Sequence, residues 1–131
     1  MRDPDVVEQL FATYAYAQDA RQFDLLNGVF GKDAKFVVSI EGGDTYTFEG
    51  RDYLVSFISE TISAQTDRRR HVITNIRIDD EADTATSYLT LVVVEGGSLT
   101  VKSTGMYTVT FVEEDGKLRF NTMDLHLLLP F

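Results

Sequence analysis

The sequence contains no cysteine, which excludes disulfides, thiolate nucleophiles and cysteine-ligated zinc or iron–sulfur centres together. It also lacks a glycine-rich phosphate loop. Gly42-Gly43 and Gly96-Gly97 read as hairpin turns, whereas a dinucleotide fingerprint needs its glycines between a strand and a helix. No Gly-x-Ser-x-Gly elbow occurs. No apolar run reaches the length that spans a bilayer. The N-terminal stretch MRDPDVVEQL carries acids where a signal peptide would have its apolar region, so the expected compartment is the cytoplasm. Basic charge is scarce: 12 Lys plus Arg stand against 21 Asp plus Glu, for a net charge of −9. Such a field repels phosphate backbones and anionic lipid, so neither nucleic acid nor a membrane is an expected partner. The one basic run, Arg68-Arg69-Arg70, follows Asp67 and reads as a local feature.

What is present fits one soluble domain over residues 1–131, with 44% apolar and 25% charged residues. A chain of this size buries roughly 65–70% of its unfolded surface and needs no covalent staple. The first thirty residues read as helix. Asp3 can cap, Pro4 suits the first helical position, and Val7, Leu10, Phe11, Tyr14 and Ala15 recur at helical spacing. Gln18 to Arg21 is a break, after which Phe23, Leu26, Val29 and Phe30 suggest a shorter amphipathic piece ended by Gly31-Lys32-Asp33. Strands over 35–40 and 45–48 form a hairpin, and a third helix runs from Tyr53 to about Ala64. Strands follow over 71–78, 84–94, 99–112 and 118–128, separated by Gly- and Asp-rich turns. Helices gathered ahead of consecutive antiparallel strands predict an α+β fold, with a curved sheet wrapped around three helices and a pocket between them.

The chemical inventory is short. His71 and His126, the only histidines, lie on separate strands without the spacing of a usual zinc site, so no metal is expected. Asp124 and His126 share one face of the last strand. Tyr14 points inward from helix 1, as a core aromatic or a pocket hydroxyl. Asp19 falls at the edge of the same stripe, facing either solvent or a pocket rim. His71 and Asn75 fall on one face of their strand, with Ile73 between them. A histidine there is either a general base beside an inward carboxylate, a surface side chain, or a core histidine bonded to a carbonyl.

Taken together, Tyr14-Ala-Tyr-Ala-Gln-Asp19-Ala-Arg-Gln-Phe23-Asp24, Phe30-x-x-Asp33-Ala34, Gly50-Arg51-Asp52 opening a helix and Arg70-His71-x-x-x-Asn75 form a pattern over nearly the whole chain. With Gly105-Met-Tyr107 and Asp115-Gly116-Lys-Leu-Arg119-Phe120, it resembles the SnoaL-like branch of the nuclear-transport-factor-2-like superfamily, near the scytalone dehydratase and bile-acid 7α-dehydratase type. The resemblance implies a cone-shaped sheet, a pocket capped by the N-terminal helices, and no organic cofactor. It implies catalytic roles for Tyr14, Asp19 and His71: His71 moves a proton, Asp19 holds its tautomer, and Tyr14 polarises a carbonyl. Asn75, Tyr53, Phe57, Tyr107 and Asn121 are the expected substrate-binding residues. Two departures make the pocket more apolar than in those dehydratases. Phe36, Val37 and Val38 stand where the first strand carries a tyrosine, and Leu91 to Val94 where a later strand carries His or Asp.

The leading expectation is a small lyase or isomerase performing cofactor-free proton transfer on a hydrophobic, carbonyl-bearing substrate. A polyketide-type cyclase would use the same dyad in a larger pocket. A non-catalytic binder of an apolar ligand, or a dimeric interaction module, is the reading from a different class. Members of the resembled family commonly pair through the outer face of the sheet, so a homodimer is expected.

Overall fold

The computed structural model describes all 131 residues. Helix α1 (Pro4–Asp19) starts as its sequence dictates, with Pro4 in the first turn and the Asp3 carboxylate accepting from the Asp5 N–H at 2.9 Å. Val7, Leu10, Phe11 and Tyr14 are buried, and the stripe continues through Ala17 and Gln18. Ala20 is its C-cap and Arg21 follows in the left-handed region at φ 56°. The Gln22 N–H reaches the Ala17 carbonyl at 2.8 Å and the Arg21 N–H the Gln18 carbonyl at 3.2 Å. These two bonds make a Schellman ending.

The expected second amphipathic helix is absent. Phe23–Gly28 forms a 3₁₀ turn, and Phe30 instead opens strand β1 (Phe30–Ile40), opposite Phe120. Six residues ending in Asn27-Gly28 are too few and too poor in helix formers to sustain an α-helix. The cover of the sheet is therefore two α-helices and a turn. Strand β2 (Thr45–Glu49) completes the first hairpin, and α2 (Arg51–Ser63) follows, burying Leu54 and Ile58.

Strands β3 (Arg68–Asp79), β4 (Thr84–Glu95), β5 (Ser98–Glu114) and β6 (Lys117–Leu127) form an antiparallel meander. The sheet closes on its start through a parallel pairing of β6 with β1, giving the order β2-β1-β6-β5-β4-β3. Edges remain at β2 and β3, so the sheet is curved but open. Register shifts interrupt β1/β6, β3/β4, β4/β5 and β5/β6. Such bulges bend a strand and increase its twist, which lets one sheet wrap the helices. Inside the curve, Phe11 meets Phe120 at 5.0 Å between ring centres and Tyr14 meets Tyr107 edge-on at 5.5 Å. These contacts tie α1 to β5 and β6.

Gly105 marks the tightest approach within the sheet. A Cβ there would lie 2.3 Å from the His126 carbonyl oxygen, a backbone atom of the paired strand. Gly105→Ala is expected to lower stability by about 1–3 kcal/mol, read as a reduced urea midpoint. An unchanged midpoint would show that β5 and β6 can part here without cost.

Candidate active site

β3 is an edge strand, and its outward N–H groups need partners other than a neighbouring strand. The last residue of α1 supplies one. Asp19 Oδ2 accepts the His71 main-chain N–H at 2.9 Å, while Oδ1 lies 2.6 Å from His71 Nδ1. One carboxylate therefore grips a single residue by both backbone and ring, and both side chains are only 14% exposed. An ionised carboxylate accepts and does not donate, so Nδ1 carries a proton, and in the neutral ring Nε2 then presents its lone pair.

Beside this pair stands a stack of phenols. The Tyr107 hydroxyl donates to the Tyr14 hydroxyl at 3.1 Å, and the Tyr14 ring meets the His71 ring edge-on at 6.4 Å. Burial pushes the Tyr14 hydroxyl above its ordinary range and Tyr107 well above it. Both stay protonated at neutral pH. Because Tyr14 accepts from Tyr107, its own proton is available to another acceptor. Gln18, one turn after Tyr14, donates from Nε2 to the Tyr14 carbonyl at 3.2 Å.

Tyr14, Gln18 and His71 open on a cavity of about 80 Å³. The remaining walls are mainly apolar: Phe36 and Val38 from β1, Phe57 and Ile58 from α2, Leu89 and Leu91 from β4, Leu125 and Leu127 from β6. Phe131 reaches the same space. A second, polar compartment adjoins it where α1, α2 and the start of β3 converge, and Gln18, Gln65, Arg69 and His71 border both. There Arg69 is held by Asp67 through a two-point ion pair, Nε to Oδ1 at 2.8 Å and Nη2 to Oδ2 at 3.2 Å. The Arg69 guanidinium keeps the Asp67 carboxyl below its ordinary range.

Of the candidates read from the sequence, Tyr14, His71 and Phe57 line the cavity, and Asp19 borders the adjoining polar compartment, where it holds His71. Four substrate-binding candidates do not. Asn75 sits in a left-handed conformation at φ 57° where the β3/β4 register slips between Thr74 and Arg77. That bulge reverses the inward–outward phase, so Asn75 is exposed while Ile76 turns in. Asn121 is likewise exposed, at the slip between β5 and β6. Tyr53 lies on the outer side of α2, 59% exposed, with its ring near Phe48. Tyr107 is fully buried behind Tyr14 and reaches the cavity only through that hydroxyl.

Asp124 and His126 face outward from β6, with His126 Nδ1 at 3.0 Å from Ser39 Oγ. The two histidines thus stand on opposite faces of the sheet, and no group of three or more His, Cys, Asp or Glu side chains converges anywhere. Gln18 and Arg69 border the cavity although neither stands out as a catalytic residue type. Spacing carries their signal: Gln18 is four residues after Tyr14 on a helix, and Arg69 two before His71 on a strand.

Residues 1–124 match the SnoaL-like domain family. The chain belongs to that family. Solved structures agree on the fold of this SnoaL-like domain. An NTF2-like protein with a cystatin-like fold from Novosphingobium aromaticivorans superposes with a TM-score of 0.76 at 22% identity, covering 96% of this chain and 82% of its own. ActVI-ORFA from Streptomyces coelicolor gives 0.75 at 17% identity, with 94% and 95% covered. A protein from Catenulispora acidiphila, solved in complex with S-DNPA, gives 0.75 at 23% identity, with 94% and 91% covered. None of the curated proteins matches the chain by sequence. No helix of this SnoaL-like chain is long and apolar enough to cross a membrane.

The Asp67–Arg69 pair makes stability depend on pH in a defined window. The folded Asp67 carboxyl titrates below its unfolded value of about 3.9, so its stabilisation is complete above that value and fades as pH falls through the folded one. Asp67→Asn removes this dependence. Between about pH 6 and pH 3 the melting temperature of the wild type is expected to fall further than that of the variant. Equal falls would mean that the pair is not coupled to folding.

Proposed function

We propose that this SnoaL-like protein catalyses cofactor-independent proton transfer on a hydrophobic, carbonyl-bearing substrate. The observation that carries the proposal is the Asp19 clamp on His71, which leaves Nε2 as a free base at an apolar cavity. Nε2 takes a proton from the carbon beside the carbonyl, and the bonding pair moves into the carbonyl as an enolate. Tyr14 donates a hydrogen bond to the oxygen as charge develops there. Asp19 stabilises the imidazolium that results. The proton then returns either to a β-hydroxyl that leaves as water or to another carbon. Dehydration and isomerisation differ only in that last step. In a cyclase, the enolate would instead attack a second carbonyl of the same molecule. Tyr107, through its bond to Tyr14, is a positioning residue.

The apolar walls favour a second reading, a binder without turnover. The two are separated by following exchange of the α-protons of 2-tetralone in D₂O by NMR. Wild-type protein is expected to accelerate exchange above buffer, with His71→Ala and Asp19→Asn each losing on the order of 10²-fold or more and Tyr14→Phe on the order of 10-fold. Exchange that is no faster than buffer, or that survives His71→Ala, sinks the catalytic reading and leaves the binder.

We also propose that two copies pair through the outer face of the sheet. Tyr88 and Met106 are neighbours in register there and, like Val72, are exposed. Light scattering is expected to give twice the 14.8 kDa of the chain, and Met106→Glu to reduce it to one copy. A monomer in the wild type would refute the pairing.

A further inference from the structure

The polar compartment beside His71 has a charge opposite to that of the protein as a whole. It is bordered by Arg21, Arg68, Arg69 and Arg70 against two carboxylates, Asp19 and Asp67. Four of the 12 basic residues of a chain with net charge −9 thus gather at one opening. Both carboxylates are already engaged, one with His71 and one with Arg69.

The arginines are not all consumed by the fold. α1 and α2 both end at this compartment without a basic residue in the last turn, so cations could serve simply to offset the two helix ends. Arg21 does this in part, donating from Nη2 to the Gln65 carbonyl at 3.0 Å. Arg68 forms no side-chain hydrogen bond or ion pair. Arg70 bonds only the carbonyl of the residue before it, at 2.9 Å. Arg69 engages Asp67 through Nε and Nη2, which leaves Nη1 without a partner while the side chain borders both compartments.

Arg21 adds an independent observation. It occupies the left-handed position after the C-cap of α1, where glycine is favoured because it carries no Cβ. A guanidinium is thus carried at a site whose backbone would be more relaxed with glycine.

We infer that the ligand of this site is an amphipathic acid, whose apolar body fills the cavity and whose anionic group is bound in the arginine-lined compartment by Arg69 Nη1, with Arg21, Arg68 and Arg70 in support. The inference rests on the cavity being the substrate site and not on His71 being a base. Arginine pairs with carboxylates and other oxyanions through directed N–H groups. The compartment also gives an anion a local attraction that the negative surface elsewhere withholds, which orients the ligand with its acid outward.

The test uses two fluorescent probes with the same anilinonaphthalene body, 8-anilino-1-naphthalenesulfonate and neutral N-phenyl-1-naphthylamine. The anionic probe is expected to bind the wild type about tenfold more tightly than the neutral one, with a preference that weakens as salt is raised. In Arg68→Gln/Arg70→Gln the preference should fall severalfold, with binding of the neutral probe unchanged. Arg21→Gly, which places the favoured residue at the helix end, should reduce the preference without lowering the melting temperature. An anionic probe that binds no better than the neutral one, or a preference that survives both variants and the charge-neutral pair Asp67→Asn/Arg69→Gln, overturns the inference. Tyr14→Phe, which does not border the arginine-lined compartment, is expected to keep the preference while slowing proton transfer, so loss of proton transfer and loss of anion recognition are read separately.

Discussion

A carboxylate that receives both the main-chain and the ring N–H of one histidine ties the two halves of this fold together. Asp19 is the last residue of α1, and His71 stands on the open edge of a sheet whose other edge lies five strands away. The clamp therefore satisfies an exposed strand edge, seats the end of a helix on it and sets an imidazole tautomer with the same two oxygens. It is a charge-assisted contact in a half-dry setting, where such bonds are stronger than in water. The cavity owes its wall at this point to that bond. Stability and the orientation of His71 are not separable at Asp19.

Around the clamp, the polar groups divide by depth. Tyr107 and Tyr14 form a fully buried pair of phenols kept neutral by their surroundings, whereas the arginines gather at the rim. Between them lie aliphatic and aromatic walls that offer a ligand contact area but little direction. Orientation of anything bound must then come from the two polar ends, the Tyr14 hydroxyl within and the cations without. The cavity is thus polar at its ends and apolar along its length.

Much of this was legible in the sequence because it depends on local periodicity. The α1 stripe located Tyr14 facing inward, the turn residues marked the hairpins, and the Tyr14–Asp19–His71 constellation is carried by the family's spacing. The failures have separate physical origins. A period of two assigns faces only while the ladder is unbroken, and both misplaced asparagines, Asn75 and Asn121, sit at register slips. Phe30 looked like the tail of an amphipathic helix because its partner, Phe120, is distant in sequence. Tyr107 sits on the correct face, but alternation says nothing about depth, and Tyr14 stands between it and the cavity. Arg69 went unrecognised as a wall residue because its charge, next to Arg68 and Arg70, reads as solvated surface. Its position two residues from His71 says otherwise.

The parallel pairing of β1 with β6 has a consequence for how the molecule assembles. Phe36 and Val38 line the cavity beside Leu125 and Leu127, and the register joins Phe36 to Met123 and Val38 to Leu125. The meander from β3 to β6 can form from neighbours in sequence, but this seam closes a loop over most of the chain. Its entropy cost falls before its contacts are gained. On a ribosome, the cavity cannot be completed until the last strand has emerged. Until then the apolar walls have no floor, and the nascent chain exposes surfaces that the finished fold turns inward.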